Sequence, residues 1–288
     1  MTDTPILAGI GGSGLYTMPG LEDLEERTVE TPFGAPSSPI VLGTLEGRRI
    51  AFLARHGRDH TITPSEVNYR ANIYALKSIG IRFVLAVSAC GSLREDYAPG
   101  HRVIPDQLID FTRRRHSSFF EGGLVAHVGV ADPFCSQFNE QVYSACQQVK
   151  NEAVHLGGSY ITVEGPRFST KAESNLYRSW AISIIGMTTS PEAFLAREAE
   201  MHYSVMANVT DYDVWHEEHV SVEMVMSTMR KNRLVAQEAI RNLALSLSTD
   251  QTCDCEHALA NAFISDLEHT PKETLQRLGI LIDKYSKE

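Results

Sequence analysis

Short apolar runs alternate with helical periodicities along the whole chain, the signature of helices layered on a sheet rather than of separate all-α and all-β modules. The runs at 5–10, 49–55, 83–89, 160–164, 183–187 and 203–210 read as strands. Thr63-Pro64-Ser65-Glu66 has the form of a capping box with proline at the first helical position. Val67, Ala71, Tyr74 and Ser78 follow at helical spacing until Gly80 stops the helix. Thr170-x-x-Glu173, Thr270-Pro271-x-Glu273 and Ser190-Pro191 start three more helices, and Ser221 opens a long one reaching to about Ser248.

With 288 residues, 43% of them hydrophobic, the chain can bury a large core, and one α/β domain over 1–288 with a central mixed sheet is the simplest organisation. The polar, cysteine-bearing segment 249–256 reads as a loop into a short helical extension, 249–288. The net charge of −10, with no basic run longer than Arg113-Arg114-Arg115, argues against a nucleic-acid groove. The first residues lack the pattern of a secretory leader, and no stretch of ~18 apolar residues occurs, so the expected location is cytoplasmic and not membrane-bound. Five cysteines scattered through a long chain do not form a small disulfide framework. No H-E-x-x-H or C-x-x-C spacing is present, so no metal is expected.

Gly9-Ile10-Gly11-Gly12-Ser13-Gly14 follows a strand and matches G-x-G-x-x-G. A dinucleotide fingerprint must open directly into a helix, and Pro19 and Gly20 interrupt the chain before a helical face develops. What survives is a glycine turn with exposed amides and the hydroxyl of Ser13, suited either to a single phosphate or to a tight turn without a ligand. Arg55-His56-Gly57-Arg58 ends another strand, where an arginine fork can take a phosphate on two donors and His56 can add a third. Ser88-Ala89-Cys90-Gly91-Ser92 ends the next. Each motif alone also fits a solvated loop, but on neighbouring strands they make one anion pocket.

Thr210-Asp211-Tyr212-Asp213 closes the last strand, and carboxylates at i and i+2 share a pocket if the strand bends there. A purine leaves poorly as an anion, so a carboxyl able to donate at N7 promotes departure. An acceptor carboxylate also favours a 6-amino over a 6-oxo purine. The same motif also fits a surface turn or a weak cation site. Phe168, after Glu164-Gly165-Pro166-Arg167, can stack on a base or belong to the core.

Together, Gly11-Gly12-Ser13-Gly14-Leu15, Thr31-Pro32-Phe33-Gly34, Leu53-Ala54-Arg55-His56-Gly57-Arg58, Ala89-Cys90-Gly91-Ser92-Leu93, Glu164-Gly165-Pro166-Arg167-Phe168-Ser169, Gly186-Met187-Thr188-Thr189 and Thr210-Asp211-Tyr212-Asp213 resemble the 5'-methylthioadenosine phosphorylases of the trimeric purine nucleoside phosphorylase family. The resemblance spans about residues 5 to 245 in the family's order. It implies phosphorolysis of the glycosidic bond, with phosphate as co-substrate and no cofactor. Phosphate would be held by Ser13, Arg55, His56, Ser88, Ala89 and Thr188. Asp211 and Asp213 would form the catalytic, base-recognising pair, and Met187, Phe168, Ser169, His60 and Val222 would line the nucleoside site. His127 would be donated across a subunit boundary of a homotrimer or a hexamer of paired trimers.

Ser13 and Ser88 stand where members often carry threonine, and the loop after Trp215 is shorter than in animal members. Cys253-x-Cys255 resembles a pair that some archaeal members join as a strained, readily reduced disulfide. A broader phosphorylase acting on adenosine or inosine, and a nucleoside-binding module without chemistry, are the alternative readings.

Overall fold

The computed structural model describes residues 4–12, 14–150, 153–216 and 222–286. Its strands are β1 (Leu7–Gly11), β2 (Leu21–Arg27), β3 (Ile40–Leu45), β4 (Arg48–Ala54), β5 (Phe83–Ser92), β6 (Arg102–Ile104), β7 (Gln107–Phe111), β8 (Val154–Leu156), β9 (Ser159–Val163), β10 (Ile184–Gly186) and β11 (His202–Asp211). The helices are α1 (Tyr69–Ser78), α2 (Ser136–Gln147), α3 (Lys171–Ser179), α4 (Thr189–Glu198), α5 (Val222–Ser246) and α6 (Lys272–Leu278). All six expected strands form, within a residue or two of their expected ends except where β5 runs on to Ser92. Five others, β2, β3, β6, β7 and β8, are additional.

The sheet is mixed and branches at β5. Along its first part β5 lies parallel to β1 on one side and β11 on the other, and its last residues, Gly91 and Ser92, pair antiparallel with β10. From β1 the sheet continues through β4, β3 and β2, and from β10 through β9 and β7. Every residue of β1 and of β11 is buried, as expected of strands covered on both faces. One face carries a core with Ile73, Ala75 and Leu76 of α1 and Ala193, Leu195 and Ala196 of α4. The other carries Phe138 and Val142 of α2 with Ala236, Ile240 and Leu243 of α5.

Because β4, β1, β5 and β11 run parallel, their carboxyl ends open on one edge of the sheet, where α/β proteins bind ligands. Strand β10 runs the other way beside the end of β5, so Met187 and Thr188, which follow it, come back along Ser88 to Cys90.

Local chemistry corrects two helix starts. Thr63-x-x-Glu66 caps a turn rather than a helix: Thr63 donates to Glu66 Oε2 from its amide and hydroxyl at 3.0 and 2.7 Å. The helix begins at Tyr69, with the side-chain Oδ1 of Asn68 accepting from the Ala71 amide. Thr270 turns its hydroxyl to the Asp266 carbonyl instead of capping α6. Ser190-Pro191 starts its helix as expected, since Ser190 has extended backbone and the regular part of α4 follows it. The box at Thr170 and Glu173 forms as expected, and Gly80 follows the end of α1 at φ +94°.

Glu198, at the end of α4, is buried and accepts from the Phe119 amide at 2.7 Å. Burial pushes its carboxyl up to about 7 from 4.5. The folded chain therefore keeps a proton that the unfolded chain releases near pH 4.5, and stability falls as pH rises between those values, by about 3 kcal/mol in all. Glu198→Gln keeps the acceptor without the charge. Urea unfolding is expected to show the variant close to wild type at pH 4.5 and more stable by about 1–3 kcal/mol at pH 8; a gap that does not widen with pH contradicts this account.

Candidate active site

At the shared strand edge lies a cavity of about 270 Å³. It brings together Arg55, His56, His60, Ser88, Ala89, Phe168, Ser169, Met187, Thr188, Asp211 and Asp213, eleven of the side chains singled out from sequence. Ser13 lies outside the described residues, although Gly12 beside it lines the cavity. Val222 begins α5, but its side chain is likewise outside the described set. His127 is exposed on a loop elsewhere and does not line the cavity.

The glycine turn does not open a helix of dinucleotide-binding length, because only Leu15–Thr17 coil, as a single 3-10 turn. The turn is tied to the loop that follows β4, with the Arg55 amide donating to the Gly11 carbonyl at 3.0 Å.

Arg55 departs from the expected arrangement. Its fork, Nε and Nη2, binds both oxygens of the fully buried Glu192 at 2.8 Å each, and Tyr203 donates its hydroxyl to the same carboxylate at 2.8 Å. Burial works against the guanidinium charge, but Glu192 outweighs it and holds Arg55 firmly protonated. The bidentate face is therefore committed to protein. Toward the cavity Arg55 offers a fixed positive charge and Nη1, whose contact in the structure is a long 3.4 Å one to the Val87 carbonyl.

His56 also differs from the expected donor. Its Nδ1 lies 2.8 Å from the Ile62 carbonyl, which requires the proton there, and this leaves Nε2 as an acceptor in the neutral ring. Burial, reinforced by the Arg55 charge, lowers its pKa to about 4. Neutral His56 is suited to accept the proton of a monohydrogen phosphate. The His60 ring lies against it, centroids 4.5 Å apart.

Hydroxyl donors complete this end. Ser88 Oγ is buried with no hydrogen-bond partner, and Thr188, just ahead of the regular part of α4, makes no side-chain capping bond. An unsatisfied buried hydroxyl at this end favours an oxyanion.

At the other end, β11 bulges: its register against β5 slips between Val209 and Asp211, which swings the acidic pair together. Asp211 accepts from the Thr210 hydroxyl at 2.7 Å and from the Asp213 amide at 2.8 Å, so each of its oxygens is engaged. Asp213 sits at φ +50°, a left-handed conformation that aspartate adopts more readily than most non-glycine residues, and its Oδ2 is buried without a hydrogen bond of normal geometry. Burial raises the pKa of both carboxyls, and the charge of Asp211 adds to the effect on Asp213. Gly91 leaves the room they need, since a Cβ there would lie 3.0 Å from Asp211 Oδ1. Phe168 forms the rim and is 41% exposed.

Two structural residues escaped the sequence reading. Glu192 is one. Arg115, the last of the arginine triplet, is the other: its side chain is 2% exposed and donates to the carbonyls of Met187, Ser190 and Glu164 at 2.7, 2.6 and 2.8 Å. It fixes the two loops that carry Phe168 and Thr188. A lone arginine in a charged run gives no local signal of such burial.

Residues 7–244 match the family model described as the phosphorylase superfamily. A curated relative from Geobacter sulfurreducens, named S-methyl-5'-thioadenosine phosphorylase, is 50% identical over 97% of this chain and 99% of its own. A relative of the same name from Koribacter versatilis is 49% identical over 96% and 95%. The crystal structure of a methylthioadenosine phosphorylase from an antarctic soil metagenomic library superposes with a TM-score of 0.93 at 45% identity, covering 97% of this chain and 99% of that one. The chain belongs to the S-methyl-5'-thioadenosine phosphorylases. Membership in this family confirms the mixed-sheet α/β fold expected from the motifs, and among the described residues no helix is long and apolar enough to cross a membrane.

The buried Arg55–Glu192 pair predicts a severe defect on breaking it. Glu192→Ala leaves a guanidinium uncompensated in the core, and unfolding in denaturant is expected to show a loss of about 3–5 kcal/mol. A loss below 1 kcal/mol would mean that water reaches Arg55.

Proposed function

We propose that this enzyme cleaves 5'-methylthioadenosine with inorganic phosphate, giving adenine and 5-methylthioribose 1-phosphate, in the cavity at the carboxyl ends of β4, β1, β5 and β11. The observation that carries this reading is the polarity of that single cavity. One end offers the Arg55 charge, the unpartnered Ser88 hydroxyl and Thr188, and the other offers the buried Oδ2 of Asp213.

Phosphate binds at the first end, where Arg55 supplies charge, Ser88 and Thr188 donate, and the Nε2 of His56 accepts the remaining phosphate proton. Ser13 and the Ala89 backbone belong to the same subsite. The nucleoside lies across Met187, with Phe168 against the purine face and Ser169, His60 and Val222 around it. Asp213, its carboxyl protonated more readily than usual, donates toward N7 as the glycosidic bond lengthens. Asp211, its oxygens taken by Thr210 and the Asp213 amide, holds Asp213 in place. Phosphate approaches the anomeric carbon as the purine leaves, so positioning and charge stabilisation supply the rate. No cofactor is needed. His127 comes from a neighbouring subunit of a homotrimer, which accounts for its exposure away from its own chain's cavity. Structures of methylthioadenosine phosphorylase from Schistosoma mansoni in complex with adenine support a purine as the ligand.

Adenine release measured with and without phosphate tests the reaction class: release is expected only with phosphate, whereas release without it indicates a hydrolase and none at all a binding module. Asp213→Asn is expected to lower kcat about 10²–10⁴-fold and to narrow the preference for adenosine over inosine. An unchanged preference removes Asp213 from base recognition.

A further inference from the structure

Far from the cavity, three segments of the chain converge on one point. Cys135 precedes α2, His202 is the first residue of β11, and Cys253 and Cys255 follow α5. One ligand-capable atom from each lies within 4.8 Å of all the others. Cys135 Sγ is 3.5 Å from Cys253 Sγ, and each of these sulfurs is 3.4 Å from His202 Nδ1. Tetrahedral zinc, with bonds of ~2.3 Å to sulfur and ~2.0–2.1 Å to nitrogen, sets neighbouring sulfurs ~3.8 Å apart and sulfur from nitrogen ~3.6 Å. The side chains are thus close to the spacing such an ion imposes.

The surroundings fit the same chemistry. His202 Nε2 lies 3.2 Å from Glu256 Oε1, which places the ring proton on Nε2 and turns the Nδ1 lone pair to the three sulfurs. Glu256 is held in turn by Arg82 at 2.6 Å. The Phe138 amide donates to Cys135 Sγ at 3.4 Å and the Arg197 guanidinium to Cys255 Sγ at 3.2 Å, donors of the kind that surround metal-bound sulfur. His202, Cys135 and Cys255 are buried, Cys253 is half-buried, and all five cysteines of the chain are free.

We propose that Cys135, His202, Cys253 and Cys255 bind one zinc ion in a closed Cys3His site. Metal binding releases the thiol protons to solvent. With four protein ligands the site is structural and leaves no open position for substrate. It stands at the start of β11 while Asp211 ends it, nine residues on, or roughly 30 Å along a strand. Its work is to pin residues 249–286 to the sheet. That segment holds the His127 loop, with His127 N–H donating to the Ala262 carbonyl at 2.8 Å and Ile264 N–H to Val125 at 2.9 Å. The sequence reading expected no metal because three of these ligands lie far apart in the chain and C-x-C is not a familiar zinc spacing.

The competing chemistry is a disulfide between two of the three cysteines. Full-length protein purified under reductant and without chelator is expected to carry one zinc per chain by elemental analysis. Replacing zinc with cobalt should give the thiolate-to-cobalt charge-transfer band and the visible bands of a tetrahedral site. Cys253→Ser, at the most exposed ligand, should abolish that charge-transfer pattern or reduce it to two sulfurs. Glu256→Gln should weaken zinc about 10–100-fold in chelator competition. Removing the metal should lower the thermal midpoint. Protein without stoichiometric metal and without the cobalt charge-transfer band overturns the proposal, as does as-isolated protein in which mass spectrometry finds two of the three cysteines joined.

Discussion

The ion pair of Arg55 with Glu192 is the constraint on which the site is built. It joins the end of β4 to the first regular turn of α4 across the floor of the cavity, and Tyr203 of β11 closes it from a third side. Three elements that come from distant parts of the chain are thereby fixed around one buried charge. A guanidinium committed to a carboxylate cannot also clamp a ligand with the same face, so its contribution to an anion is a preset field and one remaining nitrogen. That field needs no rearrangement when substrate enters, which is the condition under which electrostatics lowers a barrier most.

At the opposite end of the cavity the same economy appears in a different form. Asp211 spends its oxygens internally, on Thr210 and on the backbone of Asp213, and Asp213 Oδ2 is left buried without a hydrogen bond of normal geometry. The left-handed backbone at Asp213 and the bulge before it are part of that arrangement. Glycine at 91 is the matching concession on β5, and the branch of the sheet at the same point lets β10 bring Met187 and Thr188 alongside.

Much of this was legible in the sequence, because strand ends announce themselves: an apolar run followed by glycine, hydroxyl or charged residues locates Arg55, Ser88 and Asp211 on one edge once the strands are parallel. What was not legible is partnering. Nothing near Arg55 in the chain indicates Glu192, and the expected bidentate phosphate grip gave way to an internal pair 137 residues away. The helix start at 63 failed for a related reason, since Thr63 and Glu66 satisfy each other equally well in a turn and the tertiary position of Asn68 decided the helix. Strand β2 was hidden by its composition: Leu21–Arg27 is almost entirely exposed and mostly charged, so it shows no apolar alternation, and only pairing with β3 defines it. The cysteine–histidine cluster was invisible for want of a spacing rule spanning 120 residues.

That polar border strand has a consequence for assembly. One border of the sheet is β2, with carboxylates at Glu22, Asp23, Glu25 and Glu26 followed by Arg27 and a bulge between Glu22 and Glu25. A second copy laid along this border would set like charges opposite one another and meet an irregular ladder, which is how natural sheets keep from fusing end to end. Subunits of this chain are therefore steered away from forming a continuous intermolecular ribbon along this border.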